Sequence, residues 1–439
     1  MQTLRQAAEL VARRLSDAGH LALFAGGCVR DALRGEDPKD FDLATSARPN
    51  EILALFPGGD EVGARFGVIL VRESGHQFEI ATFRSDGPYL DGRHPESVTF
   101  TNAEEDAKRR DFSINGLFEN PLTGEVLDHV GGRADLEAKV IRAIGDPKAR
   151  FEEDSLRLLR AVRFAIRTGF EIDPATWEAM KAHASLLKKV SPERIRDEFD
   201  KIITHSARRR GFELLVESGL MKHIVPEFLA LQGCEQPPQF HPEGDVYVHT
   251  LIMLDLLREN PNLELALAVM LHDIAKPPTL TVDENGRIRN NGHDRVGARM
   301  TEDILRRLRY SNNTIEEVSS MVGNHMNFMH VQQMRVATLK RFMARPTYPD
   351  EIELHRVDCT SSHGMLDNLE FLAAQAEAFA AEPLIPPPLI TGHDLIAMGL
   401  APGPTFSKIL DFVQTQQLEG RLGDRETALA AVREKFLPS

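Results

Sequence analysis

The chain has 439 residues, of which 42% are hydrophobic and 27% are charged, a composition typical of a stably folded globular protein and not of a disordered one. This length is too great for one compact core and predicts roughly two to four domains. The formal net charge of −14 argues against a nucleic-acid partner, because phosphate binding needs cations. Basic runs at residues 108–110 and 208–210 are either solvated helix faces or local RNA contacts.

The sequence offers no signal for export or membrane insertion. The N-terminal segment is amphipathic and rich in arginine, unlike a signal peptide. The most apolar stretch, residues 263–275, contains Glu264, His272 and Asp273, which does not fit a membrane span. Three widely spaced cysteines form neither a disulfide framework nor a Cys-x-x-Cys metal site. We therefore expect a cytoplasmic protein without a membrane partner, and the sequence indicates no oligomeric state.

The pattern of apolar residues changes near residue 140. Before it, the runs 21–25, 67–71 and 78–83 predict strands of a small buried sheet. From about residue 150 onward the spacing is helical, and three consecutive prolines at 386–388 set off a final segment. We predict an α+β fold in which a small mixed-sheet head precedes an all-α neck, body and tail. The predicted bounds are 1–140 for the head, 141–235 for the neck, 236–380 for the body and 381–439 for the tail.

Acidic residues follow a Gly-Gly turn in the head. Residues 26–31 come after a predicted strand and lead into a helix, a placement in which backbone N–H groups can face a triphosphate. Asp40 and Asp42 are two positions apart, so on a strand they would share one face, and Glu79 is a third acid among apolar neighbours. Such carboxylates can hold paired Mg²⁺ ions. Alternatively, Asp40 and Asp42 cap a turn near Pro38.

Together with the segments 108–117, 128–136, 153–164 and 191–199 in that order, these residues resemble the nucleotidyltransferase superfamily of DNA polymerase beta. The similarity is to the branch that holds class II tRNA nucleotidyltransferases and bacterial poly(A) polymerases. It implies addition of nucleotides to the 3′ end of tRNA from CTP and ATP, with Mg²⁺ bound in the head by Asp40, Asp42 and Glu79. The nucleotide-binding residues that the resemblance implies are Gly27, Arg30, Arg110, Asp111, Asn115, Asp154, Arg157, Arg160 and Arg163.

Two of the matching segments suggest how a nucleotide is recognised. Arg110 offers a planar fork to phosphate oxygens and Asp111 accepts from ribose hydroxyls, unless the two only form a surface ion pair. Glu153, Asp154 and Arg157 would share one helix face, where a carboxylate beside a guanidinium can mimic a Watson–Crick edge. The alternative is an ordinary exposed salt bridge between helical turns.

Three further segments are interpreted through the same resemblance. The stretch 84–95, with Arg84 and Arg93, lies where the family has a loop associated with the switch from C to A addition. The glycines at 131 and 132 are either a hinge between head and neck or a plain tight turn. Residues 191–199 begin a helix with a Ser cap and Pro at the first position, which we interpret as support for the pocket.

A series of histidines and aspartates in the body resembles the HD phosphohydrolase superfamily. A buried His beside an Asp in an apolar segment needs a partner, and metal coordination supplies one, although a lone buried His is often only a core residue. Imidazole and carboxylate ligands suit Mg²⁺, Mn²⁺, Ni²⁺ or Co²⁺, and the sequence does not choose among these ions. The predicted ligands are His249, His272, Asp273, His293, His325 and Asp358.

Several functions remain open at this level. The leading hypothesis is addition of CCA to tRNA with release of pyrophosphate. Enzymes that add only CC, only the terminal A, or a poly(A) tail would share the same carboxylates and base-recognition segment. The chain could instead be chiefly an HD-type phosphohydrolase or a noncatalytic RNA-binding protein, but neither explains the acids of the head.

Overall fold

The computed structural model describes residues 2–63, 67–87, 97–237, 239 and 241–437. The chain divides into two units, Met1–Leu229 with Arg307–Tyr310 and Ala230–Arg306 with Ser311–Ser439. The division at 229 lies close to the predicted end of the neck at 235. The predicted division into four domains stays a prediction.

The first unit is built on one mixed sheet. Its strands are β1 (Ala22–Ala25), β2 (Leu43–Thr45), β3 (Asp60–Gly63), β4 (Val68–Glu73), β5 (His76–Thr82), β6 (Arg84–Asp86), β7 (Val98–Phe100), β8 (Leu117–Glu119), β9 (Val126–Asp128), β10 (Val140–Ile141) and β11 (Glu171–Ile172). Seven of them form the main sheet in the order β3-β4-β5-β2-β1-β8-β9. Only β2 and β5 pair in parallel within it, so the predicted mixed-sheet head is confirmed.

Helices cover the sheet and continue beyond it. They are α1 (Leu4–Asp17), α2 (Gly27–Leu33), α3 (Pro49–Leu55), α4 (Ala103–Lys108), α5 (Gly132–Ala138), α6 (Pro147–Glu153), α7 (Arg157–Thr168), α8 (Pro174–His183), α9 (Pro192–Ile203), α10 (Arg208–Glu217), α11 (Met221–Ile224) and α12 (Pro226–Leu229). The helix at 191–199 begins as expected, with Ser191 as N-cap and Pro192 at the first position. The helical neck is therefore confirmed.

The two faces of the sheet carry different cores. One core packs Leu43, Ile80 and Phe24 of the central strands against Val11 of α1. The other face carries a smaller cluster that includes Ala25, Ala44 and Phe118, covered in part by α4 through Ala107. The second face is therefore only partly covered by its cluster, and it is the face that carries the predicted acids.

The glycine pair at 131 and 132 forms a tight turn. Gly131 has a φ of +76° and directly precedes α5. A Cβ on Gly132 would lie 2.3 Å from the carbonyl oxygen of Ser113, so only glycine fits there. This close packing supports the tight-turn interpretation over the hinge.

The second unit is almost wholly helical. Its elements are α13 (Val246–Leu256), α14 (Leu263–Leu271), α15 (Lys276–Thr279), β12 (Thr281–Val282), β13 (Ile288–Arg289), α16 (His293–Arg307), α17 (Asn312–Asn324), α18 (Val336–Met343), α19 (Tyr348–Ser361), α20 (Asp367–Phe379), α21 (Gly392–Ala397), α22 (Pro404–Leu418) and α23 (Arg425–Phe436). Its last three helices enclose a separate apolar cluster around Leu395, Ile409 and Val432. In the described part of the chain, no helix is long and apolar enough to cross a membrane.

Candidate functional site

Two of the predicted acids lie side by side on the second face of the sheet. The carbonyl of Asp42 accepts a hydrogen bond from the Ala25 N–H at 3.0 Å, which continues the β1–β2 pairing one residue before β2 begins. Leu43 pairs with Ile80, and both side chains are buried in the core of the first face. Because side chains alternate along a strand, their neighbours Asp42 and Glu79 point to the opposite face.

The third acid, Asp40, acts on the same group. Desolvation by surrounding protein atoms and the charges of Asp40 and Glu79 together raise the pKa of Asp42 to about 6, although solvent reaches the side chain and Arg110 acts to lower this pKa. The prediction that Asp40 and Asp42 share one face of a strand is wrong, because β2 begins only at Leu43 and both acids precede it. Among the described residues neither Asp40 nor Asp42 accepts a hydrogen bond through its side chain, so nothing supports a turn-capping role. Three acids with one opposing cation suit a divalent metal ion.

The start of α2 lies against Arg110, one of the predicted nucleotide-binding residues. Gly26 has a φ of +68°, and a Cβ there would lie 3.0 Å from Arg110 Nη1. The Nε and Nη2 atoms of Arg110 donate to Asp106 Oδ2 at 3.2 and 3.0 Å, and the guanidinium lies 4.8 Å from the Phe118 ring. Arg110 thus lies on the same side of the sheet as Asp42, and the buried carboxylate of Asp106 holds its guanidinium in place.

Asp111 is buried at the centre of a hydrogen-bond network. Its Oδ2 accepts from Nε of Arg160 at 2.8 Å and from Nη2 of the same residue, while Oδ1 accepts from Asn115 Nδ2 at 3.0 Å and Phe112 N at 2.8 Å. Burial acts to raise the pKa of Asp111, but the charge of Arg160 and these hydrogen bonds hold it well below its usual range. Asp111 would accept from a ribose hydroxyl only after releasing one of these donors.

Arg30 joins α2 to the same network. Its Nε donates to Asp31 Oδ1 at 2.8 Å, and its Nη1 donates to Asn115 Oδ1 at 2.6 Å. A Cβ on Gly27, the first residue of α2, would lie 3.9 Å from Arg30 Nη2, so this glycine is not required by packing. The Arg30 side chain is buried, and its contacts hold α2 to the segment that contains Asp111. Nucleotide binding by Gly27 and Arg30 stays a prediction.

Three guanidinium groups surround one aromatic ring on α7. The Cζ atoms of Arg30, Arg160 and Arg163 lie 5.3, 5.3 and 4.3 Å from the centroid of the Phe164 ring. Arg163 also donates to Glu198 Oε2 at 2.6 Å, which fixes it against α9. The ring face attracts cations, so it helps to hold three like charges together. Each of the three is also paired with a carboxylate, Arg30 with Asp31, Arg160 with Asp111 and Arg163 with Glu198, so the charges of the cluster are largely balanced.

The buried position of Asp111 gives a stability prediction. Asp111→Ala leaves Arg160 and Asn115 without their shared acceptor, so we expect a loss of about 3 kcal/mol in the free energy of unfolding. The value lies at the low end for a broken buried pair because Arg160 keeps 33% of its side-chain surface exposed. Urea unfolding followed by Trp177 fluorescence measures this in the correct unit, because Trp177 is the only tryptophan. Asp17→Ala, an exposed site on α1, should cost almost nothing; equal losses for both variants would contradict the assignment.

The predicted base-reading residues lie at a break between two helices. Helix α6 ends at Glu153, Asp154 is extended with φ −135° and ψ 102°, and α7 begins at Arg157. The prediction that these three residues share one helix face is therefore wrong. The Asp154 side chain accepts from the Leu156 N–H at 3.1 Å, and such a local bond competes with helical hydrogen bonding.

Each member of the predicted pair has another partner. Arg157 donates to Glu153 Oε2 at 2.8 Å and to the carbonyl of Arg109 at 2.9 Å. Asp154 is held by Arg194 Nη2, which lies 3.1 and 3.2 Å from its two oxygens. Arg194 lies on α9, within the segment expected to support the pocket, and its direct role was not anticipated. Its position three residues after the Ser cap offered no signal for that contact.

The predicted loop at 84–95 is described only in part. Arg84 lies in β6, where its Nε donates to Asp86 Oδ1 at 2.9 Å. Arg93 lies outside the described residues. The role of this loop stays a prediction.

The second unit brings the predicted metal ligands together. They come from five places along the chain, each at or within one turn of a helix end. His249 lies in the first turn of α13, His272 and Asp273 directly follow α14, His293 begins α16, His325 directly follows α17 and Asp358 lies in α19. His272 and Asp273 therefore lie just outside the apolar helix that was expected to contain them, which ends shortly before two prolines at 277 and 278.

Backbone carbonyls fix the ring nitrogens of three of the histidines. The Nδ1 atoms of His272, His293 and His325 lie 2.9, 2.7 and 2.6 Å from the carbonyl oxygen three residues earlier. A carbonyl only accepts, so each Nδ1 carries a hydrogen, and in the neutral ring that binds a metal each Nε2 presents a lone pair. The Nε2 atoms of His293 and His325 are 3.1 Å apart, and two lone pairs at that distance repel unless a cation lies between them. These donors fit a metal ion.

Asp273 lies between two groups of ligand atoms. Its Oδ2 is 3.0 Å from His272 Nε2, and its Oδ1 is 3.4 Å from His293 Nε2 and 3.9 Å from His325 Nε2. At the other end, His249 Nε2 is 3.2 Å from Asp358 Oδ1. Two sets of ligand atoms within 4.8 Å of one another share this aspartate, namely His249, His272 and Asp273, and Asp273, His293 and His325.

The electrostatics of this cluster follow from its burial. Burial acts to raise the pKa of Asp273, but the charges of His272 and Lys276 hold it well below its usual range. Burial and the neighbouring His272 together lower the pKa of His325 to about 4, although the charge of Asp273 acts to raise it. For His249, burial lowers the pKa but is outweighed by Asp358 and Glu243, which raise it to about 9.

A cavity of about 370 Å³ opens beside the cluster. Sequence reasoning missed two of the polar residues that line it, His241 and Lys276, and also Glu243, which contacts His241 and His249. Lys276 Nζ lies 2.6 Å from Asp273 Oδ2. The sequence assigned no role to the segment that contains His241 and Glu243, although a His and a Glu shortly before His249 were a usable signal.

The chain matches three protein-family models in order. These are the poly A polymerase head domain over residues 22–142, the probable RNA and SrmB-binding site of polymerase A over residues 169–231, and the HD domain over residues 246–360. The first covers the main sheet and the second covers the later part of the helical neck, while residues 143–168, with α6 and α7, lie between the two. The third covers all six residues of the histidine and aspartate cluster.

Curated relatives match over nearly the whole chain. It is 32% identical over 417 residues to the CCA-adding enzyme of Lactobacillus helveticus, covering 93% of this chain and 92% of that one. It is 31% identical over 422 residues to the CCA-adding enzyme of Levilactobacillus brevis, covering 96% and 95%. Identity to the Geobacillus thermodenitrificans CCA-adding enzyme reaches 42% over 215 residues, or 49% and 53% of the two chains.

Solved structures share the fold. The Bacillus stearothermophilus CCA-adding enzyme in complex with CTP superposes with a TM-score of 0.77 at 26% identity, covering 99% of this chain and 98% of that one. A Thermotoga maritima CCA-adding enzyme complexed with tRNA superposes with a TM-score of 0.60 at 19% identity, covering 98% and 94%. The second similarity shows the fold alone.

Proposed function

Because the chain belongs to the CCA-adding enzyme family, we propose that it adds C, C and A in turn to the 3′ end of tRNA from CTP and ATP, releasing pyrophosphate. The observation that carries the proposal is the group of Asp40, Asp42 and Glu79 opposite Arg110 on the open face of the sheet. These acids would hold Mg²⁺. When bound, paired metal ions lower the pKa of the attacking 3′-hydroxyl and stabilise the leaving pyrophosphate.

The arginines supply the binding energy for the triphosphate. Arg110 presents a fork held by Asp106, and the guanidinium groups around Phe164 add positive charge from α7. Planar, bidentate donors of this kind match phosphate oxygens better than lysines do. Their existing ion pairs hold the side chains in place before the nucleotide arrives, which lowers the entropy lost on binding.

The break between α6 and α7 is where we place base recognition. A carboxylate accepts from the amino group of C or A, and a guanidinium donates to ring acceptors, so Asp154 and Arg157 together provide both polarities. Arg194 holds Asp154, and the carbonyl of Arg109 holds Arg157. Release or rotation of either contact would change which donors and acceptors face the base, so one pocket could serve two nucleotides.

One experiment tests the transferase proposal against its alternatives. The protein is incubated with Mg²⁺, each triphosphate and tRNAs that end before, within and after the CCA sequence, and the products are sequenced. Addition of C, C and A, followed by a stop, supports the proposal. Addition of only CC, only the last A, or a run of A identifies one of the related transferases. No extension of any tRNA would refute a transferase function.

We also propose that the second unit is a metal-dependent phosphoesterase. The fixed lone pairs of three histidines and the shared position of Asp273 favour two divalent ions. One ion would be held by His249, His272, Asp273 and Asp358, and the other by Asp273, His293 and His325. Lys276 beside Asp273 would contact a phosphate at the cavity wall. When bound, such ions activate water and polarise a phosphoryl group.

Removal of the shared carboxylate tests this second activity. Asp273→Asn should abolish hydrolysis of a general phosphomonoester such as p-nitrophenyl phosphate, because both ion sites lose a ligand. The same variant should add nucleotides to tRNA at the rate of the unsubstituted protein. Hydrolysis assays across Mn²⁺, Ni²⁺, Co²⁺ and Mg²⁺ measure the first effect. Unchanged hydrolysis by Asp273→Asn in every metal would contradict the assignment.

A further inference from the structure

Glu243 contacts the predicted metal ligand at the far end of the cluster. We propose that Glu243 is a positioning residue of the metal site, which holds His249 so that its Nε2 faces the metal and ties it to His241 on the cavity wall. This inference rests on the proposed metal-binding function of the second unit. It concerns a side chain that the fold brings back over the start of α13.

His249 is oriented differently from the other three histidines. Their Nδ1 atoms meet backbone carbonyls, whereas His249 Nδ1 lies 2.7 Å from Glu243 Oε1. The His249 side chain is fully buried, and its Nε2 lies 3.2 Å from Asp358 Oδ1 on the opposite side of the ring. An ionised carboxylate only accepts, so Glu243 requires the hydrogen on Nδ1 and leaves Nε2 for the metal. The Glu243 side chain therefore orients His249 in the way that backbone carbonyls orient the other three histidines.

The same carboxylate oxygen serves a second imidazole. His241 Nδ1 lies 2.9 Å from Glu243 Oε1, and the His241 and His249 rings pack edge to face with centroids 5.0 Å apart. His241 also lines the cavity beside the metal ligands. Glu243 thus couples a ligand inside the cluster to a ring that a phosphate ester in the cavity would meet. Its loss would free both imidazoles at once.

The local fold keeps Glu243 in this position. The neighbouring Asp245 is the N-cap of α13, with Oδ1 accepting from the Val248 N–H at 2.8 Å. Its Oδ2 accepts from the Gly233 N–H at 2.6 Å, which anchors the segment before the helix. Glu243 itself is largely buried, with 7% of its side chain exposed. A buried carboxylate with two histidine partners is a costly arrangement that a solvated loop would not need.

Metal titration of the full chain provides the test. After chelator treatment and dialysis, Mn²⁺ is titrated by calorimetry into the unsubstituted protein and into Asp273→Asn, Glu243→Ala, Glu243→Gln and Glu235→Gln. The head can also bind Mn²⁺, so the binding heat that disappears in Asp273→Asn is the part that belongs to the second unit. We expect Glu243→Ala to weaken that component about 10- to 100-fold, the usual effect of removing a carboxylate behind a ligating histidine.

The remaining variants separate positioning from simple loss of structure. Glu243→Gln keeps an acceptor oxygen for His249, so it should retain a Mn²⁺ affinity between those of Glu243→Ala and the unsubstituted protein. Glu235→Gln removes the same charge from an exposed residue of the same segment and should leave the affinity unchanged. Nucleotide addition to tRNA and the melting temperature, measured on every variant, confirm that each chain is folded.

The outcomes distinguish failure of this inference from failure of the metal site itself. Full Mn²⁺ affinity in Glu243→Ala, with affinity lost in Asp273→Asn, would overturn the role of Glu243 and leave the metal site standing. An unchanged titration in Asp273→Asn would overturn the metal site and the present inference with it. Equal losses in Glu243→Ala and Glu235→Gln would show a general charge effect, which also contradicts a positioning role.

Discussion

Asp42→Ala is expected to lower the rate of nucleotide addition by at least about 10³-fold, because a metal ion stabilises the transition state by several kcal/mol and each 1.36 kcal/mol changes a rate tenfold. Asp42 is the acid on which Asp40, Glu79 and Arg110 all act, so its loss removes the centre of the group. Affinity for tRNA should remain nearly unchanged, since three acids repel the RNA backbone more than they bind it.

The measurement is single-turnover extension of a tRNA lacking its last A, with filter binding of the same tRNA. Asp17→Ala serves as the matched control, because it removes an exposed carboxylate from α1 in the same unit. Turnover by Asp42→Ala within tenfold of the control would rule out the assignment of the metal site. A parallel loss of tRNA affinity would instead indicate that the substitution disrupts the head.

Arg157→Ala should impair the choice of base more than the binding of triphosphate. A well-placed pair of hydrogen bonds to a base discriminates by about 1–3 kcal/mol, so preference for CTP over UTP is expected to fall about 10- to 100-fold. Arg157 is buried and contacts the carbonyl of Arg109, the residue before Arg110, so the substitution also loosens the neighbouring phosphate site slightly. We expect only a small rise in KM for CTP from that effect.

Misincorporation measured with each triphosphate alone and in competition checks this prediction. The control is Arg133→Ala, which removes an exposed guanidinium of the same unit. Retained selectivity with a large rise in KM would assign Arg157 to triphosphate binding and contradict its role in base recognition.

Sequence reasoning predicted the elements of the head closely because their signals are local. The strand expected at 21–25 is Ala22–Ala25, and the one expected at 78–83 is His76–Thr82. Alternation was expected to put Asp40 and Asp42 on one strand face, but both precede β2, and the parallel register of Leu43 with Ile80 instead puts Asp42 beside Glu79. The alternation of apolar residues and the nearby turn residues, all within a few positions of each acid, are enough to predict where these strands lie.

The partners of charged side chains were harder to predict, because they depend on packing between distant segments. Glu153, Asp154 and Arg157 looked like one helical surface, but the side chain of Asp154 binds the backbone locally and the helix breaks there. Arg194, forty positions away, then takes the carboxylate. The spacing of residues along the chain does not show that α9 packs beside the break between α6 and α7.

The same limit applied to the metal cluster. The six predicted ligands follow in a recognisable order along the chain, and the structure brings them together, whereas Glu243 lacks any periodic signal and was missed. Its role depends on a turn that returns the chain over the start of α13, with Asp245 as the cap. A capping residue before an apolar helix is readable from sequence, but the direction of the side chain two positions earlier is not.

The three imidazoles fixed by main-chain carbonyls have an evolutionary consequence. No amino-acid substitution nearby can delete a backbone carbonyl, so the orientation of these three rings does not depend on which side chains surround them. A descendant could lose its hydrolytic chemistry through changes in the cavity wall and still keep the ion as a brace between helices. Of the four histidines, His249 alone lacks this protection, because a single substitution at position 243 would remove the carboxylate that orients its ring.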